Sequence, residues 1–177
     1  MAAATGPLKI NLTISCTETN AGSGTGATDT VHRHLLEYSK TLANGTSGDE
    51  QDLCYSIHNG SVVNGVPDTI DLAGSLTQHT DTSSTHTFVE MVAIALVHTG
   101  GTGDLEIGAG GSNPFITMWK ATGDGAVIGP GTGDGSVFLW TSFTNGGTVT
   151  AGSGDVLQLI SSSGTVTYKM VLVGRSA

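Results

Sequence analysis

From residue 9 the chain alternates. Lys9-Ile10-Asn11-Leu12-Thr13-Ile14-Ser15 puts Ile10, Leu12 and Ile14 on one face and polar residues on the other, the period-two pattern of a strand buried on one side. Residues 17–30 are mostly Thr, Gly, Ala, Ser and Asn with almost no apolar content, which reads as a linker. Residues 1–30 are therefore expected to form an N-terminal arm and tether, and residues 31–177 the body. Between Val31 and Leu36 the pattern is ambiguous. Val31 and Leu35, four apart, allow one short helix near residues 31–37, whereas Leu36, Tyr38 and Leu42 suit a strand.

Beyond this point the apolar residues come in short blocks. Leu53-Cys54-Tyr55-Ser56-Ile57 leads to Asn59-Gly60, read as a turn. Thr69-Ile70-Asp71-Leu72 is short. Thr87 to Val97 is apolar on both faces and is expected to be a central strand covered on both sides. Blocks follow at Leu105–Ile107, Phe115–Lys120, Val137–Phe143, Val156–Ile160 and Val166–Val173. The segment Thr122-Gly123-Asp124-Gly125-Ala126-Val127 recurs ten residues on as Thr132-Gly133-Asp134-Gly135-Ser136-Val137, an offset of one strand plus one turn. About nine strands at this spacing predict an all-β jelly roll or β-sandwich with an extended N-terminal arm.

Composition sharpens this picture. There are 27 Gly, and only 12% of residues are charged, against about 25% in ordinary domains. Strands rich in Val, Ile, Thr and aromatics are separated by Gly, Asn, Asp and Ser. The net charge is −9, and the six basic residues (Lys9, Arg33, Lys40, Lys120, Lys169 and Arg175) are scattered. Such a surface has no cluster to neutralise several phosphates, so neither nucleic acid nor an anionic membrane is an expected partner. Met1-Ala2-Ala3-Ala4-Thr5-Gly6 lacks a basic n-region and an apolar h-region, and no signal peptide is expected. In a reducing compartment Cys16 and Cys54 are expected to remain unpaired thiols.

Candidate chemistry is sparse. No Gly-x-Ser-x-Gly elbow is present. His32-x-His34 places two rings on one face of an extended segment, but zinc needs three or four ligands, and no spacing brings in His58, His79, His86 or His98. Gly131-Thr132-Gly133-Asp134-Gly135 is one fragment of a calcium β-roll, a motif that acts in tandem. Asp49, Glu50 and Asp52 cluster in a polar turn where carboxylates are normally solvated. Trp119 and Trp140 are either core residues or a sugar platform, and exposure separates the two. No catalytic residue, metal or cofactor is expected, and the protein is expected not to be an enzyme. The interaction residues are those of the arm, Ile10, Leu12 and Ile14, whose apolar stripe would be an aggregation hazard unless packed. They are expected to pack on a neighbouring chain by strand addition.

Several segments resemble a known family. These are Tyr38-Ser39-Lys40-Thr41-Leu42-Ala43-Asn44-Gly45-Thr46, Asp68-Thr69-Ile70-Asp71-Leu72-Ala73-Gly74-Ser75-Leu76, Thr148-Val149-Thr150-Ala151-Gly152-Ser153-Gly154-Asp155, and Thr165-Val166-Thr167-Tyr168-Lys169 with its closing aliphatic strand. Together they resemble the jelly-roll capsid cement (decoration) proteins of tailed bacteriophages, over roughly residues 34–177. Residues 1–33 depart from that family's core. The resemblance implies a virion structural protein without catalysis, assembled in the host cytoplasm. It would bind and stabilise the outer surface of the shell of the major capsid protein. Self-association as a trimer or dimer would match local symmetry axes of such a shell. The competing readings are a head-fibre base or tail-associated virion protein, and a carbohydrate-binding jelly roll for host attachment.

Overall fold

The structure is a computed structural model that describes residues 7–20, 30–77, 85–108, 110–119, 121–129 and 135–177. Every regular element among them is a strand: β1 (Leu8–Asn20), β2 (Thr30–Asn44), β3 (Glu50–Gln51), β4 (Leu53–Val63), β5 (Asp68–Asp71), β6 (Leu76–Thr77), β7 (Thr85–His86), β8 (Glu90–Gly100), β9 (Leu105–Gly108), β10 (Gly125–Ile128), β11 (Val137–Thr141), β12 (Gly147–Thr148), β13 (Val156–Ser161) and β14 (Thr165–Arg175). The strand alternative at Val31–Leu36 is the one realised, within β2.

Eight strands make the sandwich. One sheet runs β11-β8-β14-β4, with β12 also beside β8, and the other runs β10-β9-β13-β5. Counted along the chain from β4, and leaving out the two-residue strands, the first sheet holds strands six, three, eight and one. The second holds five, four, seven and two. All pairings within the two sheets are antiparallel. This is the eight-stranded jelly-roll order, in which most connections cross from one sheet to the other. The ten-residue repeat is such a corner device. Its first copy leads into β10 in one sheet, and its second ends at Val137, where β11 begins in the other. Residues 132–134 of the second copy, and Gly131 of the calcium-like fragment, lie outside the described residues.

The core lies between the sheets, and alternation puts it there. Along β14, Val166, Tyr168, Met170 and Leu172 are buried while Thr165, Thr167, Lys169 and Val171 face outward. They meet Leu105 and Ile107 of β9 and Leu157 and Leu159 of β13 across the sandwich. Asn59-Gly60 is not a turn: β4 runs straight through it. Gly60 is needed because the Tyr168 ring lies where its Cβ would stand, next to the bulge between Tyr168 and Met170. The chain turns later, at Asn64-Gly65, where Gly65 has φ 80°. The Tyr168 hydroxyl donates to Asp68 Oδ2 at 2.5 Å. Burial, then the neighbouring Asp68 carboxylate, pushes its pKa well above the usual tyrosine value.

β8 is central, as its two-sided apolar pattern predicts. Its inner face enters the core, and the second cover, over Ala93 and Ala95, is supplied by β1. The arm thus belongs to a separate sheet, β1-β2-β3, lying on the outside of the sandwich. Residues 17–20, expected in a linker, are strand and pair with β2. Residues 21–29 of that segment lie outside the described residues. The sandwich's own strands begin at Leu53, so residues 31–44, assigned to the body from sequence, pair with the arm instead.

Candidate functional site: an amphipathic ribbon

β1 and β2 pair antiparallel over thirteen residues, from Leu8↔Leu42 to Asn20↔Thr30, a ribbon about 44 Å long at the usual rise. Cross-strand partners share a face. One face carries Leu8 with Leu42, Ile10 with Lys40, Leu12 with Tyr38 and Ile14 with Leu36. The other carries Lys9 with Thr41, Asn11 with Ser39, Thr13 with Glu37 and Ser15 with Leu35. The first is apolar apart from Lys40, and the second is polar apart from Leu35. Ser39 donates to Asn11 across the polar face at 2.8 Å.

The root of the apolar face is covered. Leu42 is fully buried, and Leu8, Ile10 and Leu12 are half-buried over the outer face of the β11-β8-β14-β4 sheet. Between ribbon and sheet lies a half-open cleft of about 390 Å³, walled on the sheet side by Ala93, Ala95, Val137, Leu139, Val171 and Val173. Further out the cover stops. Ile14 is 56% exposed and its partner Leu36 55%, while Val137 and Leu139 on the sheet are exposed as well. The three predicted residues are therefore divided: Ile10 and Leu12 pack on their own chain, and Ile14 overhangs. Among the described residues β1 pairs only with β2, and β2 otherwise only with β3 at Ala43–Asn44. Among the described residues, both long edges of the ribbon therefore offer backbone groups that no other strand pairs, apart from β2 at Ala43–Asn44.

The root is fastened by a junction around Arg175 that nothing in the sequence marks. Arg175, 2% exposed, donates from Nη1 to Glu90 Oε2 at 2.5 Å, from Nε to the Glu50 carbonyl at 3.0 Å, and from Nη2 to the Phe143 carbonyl. Asp49 N–H donates to that same Phe143 carbonyl at 3.1 Å. Tyr38 stacks on the Phe143 ring, with centroids 6.3 Å apart and planes within 7°. Lys40 Nζ lies 3.0 Å from Asp49 Oδ1, and this hydrogen bond holds the Asp49 carboxyl below its ordinary value. Of Asp49, Glu50 and Asp52, placed by the sequence in a turn of solvated carboxylates, Asp49 is exposed in its turn, while Glu50 and Asp52 are half-buried and hydrogen-bonded. Glu50 accepts from Ser47 N–H, and Asp52 accepts from the Ser176 N–H and hydroxyl. These bonds hold a turn and the C-terminus.

The other candidates are dispersed. Trp140 sits edge-on to Phe115, with centroids 6.3 Å apart, and Trp119 lies against Phe138 at 5.9 Å. Both are half-buried and packed on the core. No disulfide joins Cys16, exposed on β1, to Cys54, whose thiol burial pushes up. His86 and His98 are buried, His58 neighbours Ser56, and His79 lies outside the described residues. Among the described residues no three His, Cys, Asp or Glu side chains stand gathered as a metal set, and no helix is long and apolar enough to cross a membrane.

Charge separates the ribbon from the sandwich. Three basic and three acidic residues cancel within residues 1–44, and residues 45–177 hold three basic against twelve acidic residues, the whole of the −9. The ribbon is thus the part least repelled by another acidic surface. No protein-family model, curated protein or solved structure matches the chain.

Proposed function

We propose that this chain is a non-enzymatic assembly protein of a virion, a cement protein that docks on the outer surface of the major capsid protein shell and stabilises it. The observation that carries the reading is the overhanging apolar face at Ile14 and Leu36, on a neutral ribbon whose outer edges pair with no other strand among the described residues except at Ala43–Asn44. Each of these side chains is about half exposed, so covering the pair recovers roughly 2–3 kcal/mol. That is too little for a lone complex, and it suits a contact repeated over an oligomer, where multivalency multiplies the hold. Strand addition along a ribbon edge supplies main-chain hydrogen bonds. Sister copies, as a trimer or dimer, and the capsid protein are the partners. The packing of Trp119 and Trp140 against the core weighs against a sugar platform.

The test compares the wild-type chain with the double variant Ile14→Glu, Leu36→Glu on capsid shells stripped of this protein. Both sites are exposed, so the variant is expected to melt within about 1 kcal/mol of wild type. It is expected to decorate shells at least tenfold more weakly, and to show reduced self-association in analytical ultracentrifugation. Equal decoration by the two proteins, or no decoration by wild type, sinks the reading.

A further inference from the structure

One edge of the sandwich lacks the usual guards. β11 ends the β11-β8-β14-β4 sheet, and among the described residues no strand pairs with its far side. The ladder fixes which of its groups face out. His98 N–H donates to the Ser136 carbonyl, and Ser142 N–H donates to the Val92 carbonyl. These bonds extend the β11–β8 register by one residue at each end. Hydrogen-bonded pairs recur at every second residue, so Phe138 and Trp140 also bond to β8. The N–H and C=O groups of Val137, Leu139 and Thr141 therefore point away from it, and no backbone hydrogen bond reaches them from elsewhere among the described residues. Their side chains share the outer face, with Val137 65% and Leu139 41% exposed. Such edges are normally blunted by charge, proline or a bulge. β5, an edge of the facing sheet, begins and ends on Asp68 and Asp71. β11 carries none of these devices, and residues 135–149 contain no charged residue in a chain of net charge −9.

We propose that β11 pairs antiparallel with β11 of a second copy of this chain about a twofold axis, joining two sandwich sheets into one. Acidic sandwiches repel one another, and an uncharged strip is where two of them can meet. A twofold contact is self-complementary, so a single unguarded edge is enough and pairing consumes it. Centring the axis on Leu139 uses every outward group. Leu139 then faces Leu139 of the second copy, and Val137 faces its Thr141, with about six main-chain hydrogen bonds in all. The outer faces of the two strands become continuous, and the exposed Leu139 side chains meet across the axis. The inference rests on the sister-copy part of the reading above and is independent of the capsid. It assigns self-association to a strand of the sandwich, as a contact separate from the ribbon.

Cross-linking of the full-length protein in a Cys16→Ser background tests the register. A hydrogen-bonded antiparallel pair sets its Cα atoms about 5.5 Å apart, within disulfide reach. Leu139→Cys is expected to give a disulfide-linked dimer on mild oxidation. Val137→Cys is not, because an axis at Leu139 separates the two copies of residue 137 by four residues of strand, roughly 13 Å. Charge gives a second readout in analytical ultracentrifugation. Val137→Glu with Thr141→Glu sets like charges opposite one another across the axis and is expected to weaken dimerisation at least about tenfold. Val137→Lys with Thr141→Glu sets opposite charges there and is expected to dimerise at least as tightly as wild type at low salt. Both sites are exposed, so both double variants should melt close to wild type. A monomeric wild type, equal cross-linking at residues 137 and 139, or equal weakening by the two double variants overturns the proposal. No shell enters these measurements. A dimer that fails to decorate shells leaves this inference standing and sinks the cement reading, and a monomer that decorates them does the reverse.

Discussion

The sandwich and the ribbon are built from the same residue types with opposite results. In β14 every second side chain is buried against a facing sheet, and the four inward residues are almost fully enclosed. In β1 the alternation is as regular, yet the burial fades along the strand, from half-buried Leu8, Ile10 and Leu12 to exposed Ile14. A period-two pattern states which face wants cover and says nothing of whether the chain itself provides it. Where the cover of the sandwich stops, the same pattern leaves an apolar face exposed.

Arg175 is where the two regions are tied, and its loss is the largest effect expected. Arg175→Ala leaves Glu90 and the Glu50 and Phe143 carbonyls without their shared donor. Breaking a buried pair in this way costs roughly 3–5 kcal/mol. Because Phe143 also receives Tyr38 and Asp49, the ribbon should loosen together with the end of β14. Denaturant unfolding together with amide exchange over β2 checks both. Unchanged protection of β2 would show that the ribbon stands without this knot.

A matched pair of truncations measures the contrast directly. Leu159→Ala, in the closed core, should cost about 2–5 kcal/mol. Leu36→Ala, the same chemical change on the overhang, should stay within about 0.5 kcal/mol. Equal losses by thermal melting of the isolated protein would mean that the ribbon face is already covered, by a sister copy for example.

The strands of the sandwich were legible because each carries its own pattern and its turns are rich in Gly, Asn and Asp. The ribbon was half legible. Ile10, Leu12 and Ile14 announce β1, but Thr17-Glu18-Thr19-Asn20 is polar throughout and is strand only because β2 lies beside it in register. In β2, Leu35 and Leu36 fall on opposite faces, which blurs the alternation and left helix and strand equally good. Asn59-Gly60 misled because a turn dipeptide was read without the Tyr168 ring that needs the glycine. Glu50, Glu90, Phe143 and Arg175 meet across 125 residues of chain, and nothing local marks such a junction.

Tyr168→Phe probes the sandwich at a lower level. It removes one hydroxyl bond to a carboxylate, worth about 1.5–3 kcal/mol at most, and Asp68 is only partly buried and can recover water. Its signature is clearer in pH than in size. The folded pKa lies above the unfolded value of 10.0, so the folded state retains the proton that the unfolded chain gives up. The phenol's contribution is therefore complete below about pH 10 and declines as pH rises beyond it. In the range accessible above pH 10, the wild type should lose stability more steeply than Tyr168→Phe. Parallel curves would mean that the phenol is solvated in the fold.

The smallest effect belongs to the exposed pair at the root of the ribbon, Lys40 with Asp49. Its influence on stability is screened by solvent and salt, so the carboxyl's own titration is the quantity to follow. Lys40, first through its hydrogen bond, lowers the Asp49 pKa below 3.8. A lowered carboxyl stabilises the fold above the unfolded pKa, and that contribution is lost as pH falls through the folded one. Followed by NMR, the Asp49 carboxyl should titrate below 3.8 at low salt and move up toward that value in high salt or in Lys40→Met. Asp49 sits at φ 62°, a conformation that Asn also tolerates. Asp49→Asn should thus keep the turn while abolishing the pair, and the acid limb of the unfolding curve should flatten slightly with β2 protection intact. A midpoint indifferent to both salt and Lys40 would show that the pair does not hold in solution, leaving Arg175 and the Tyr38–Phe143 stack as the attachments of the ribbon at its root.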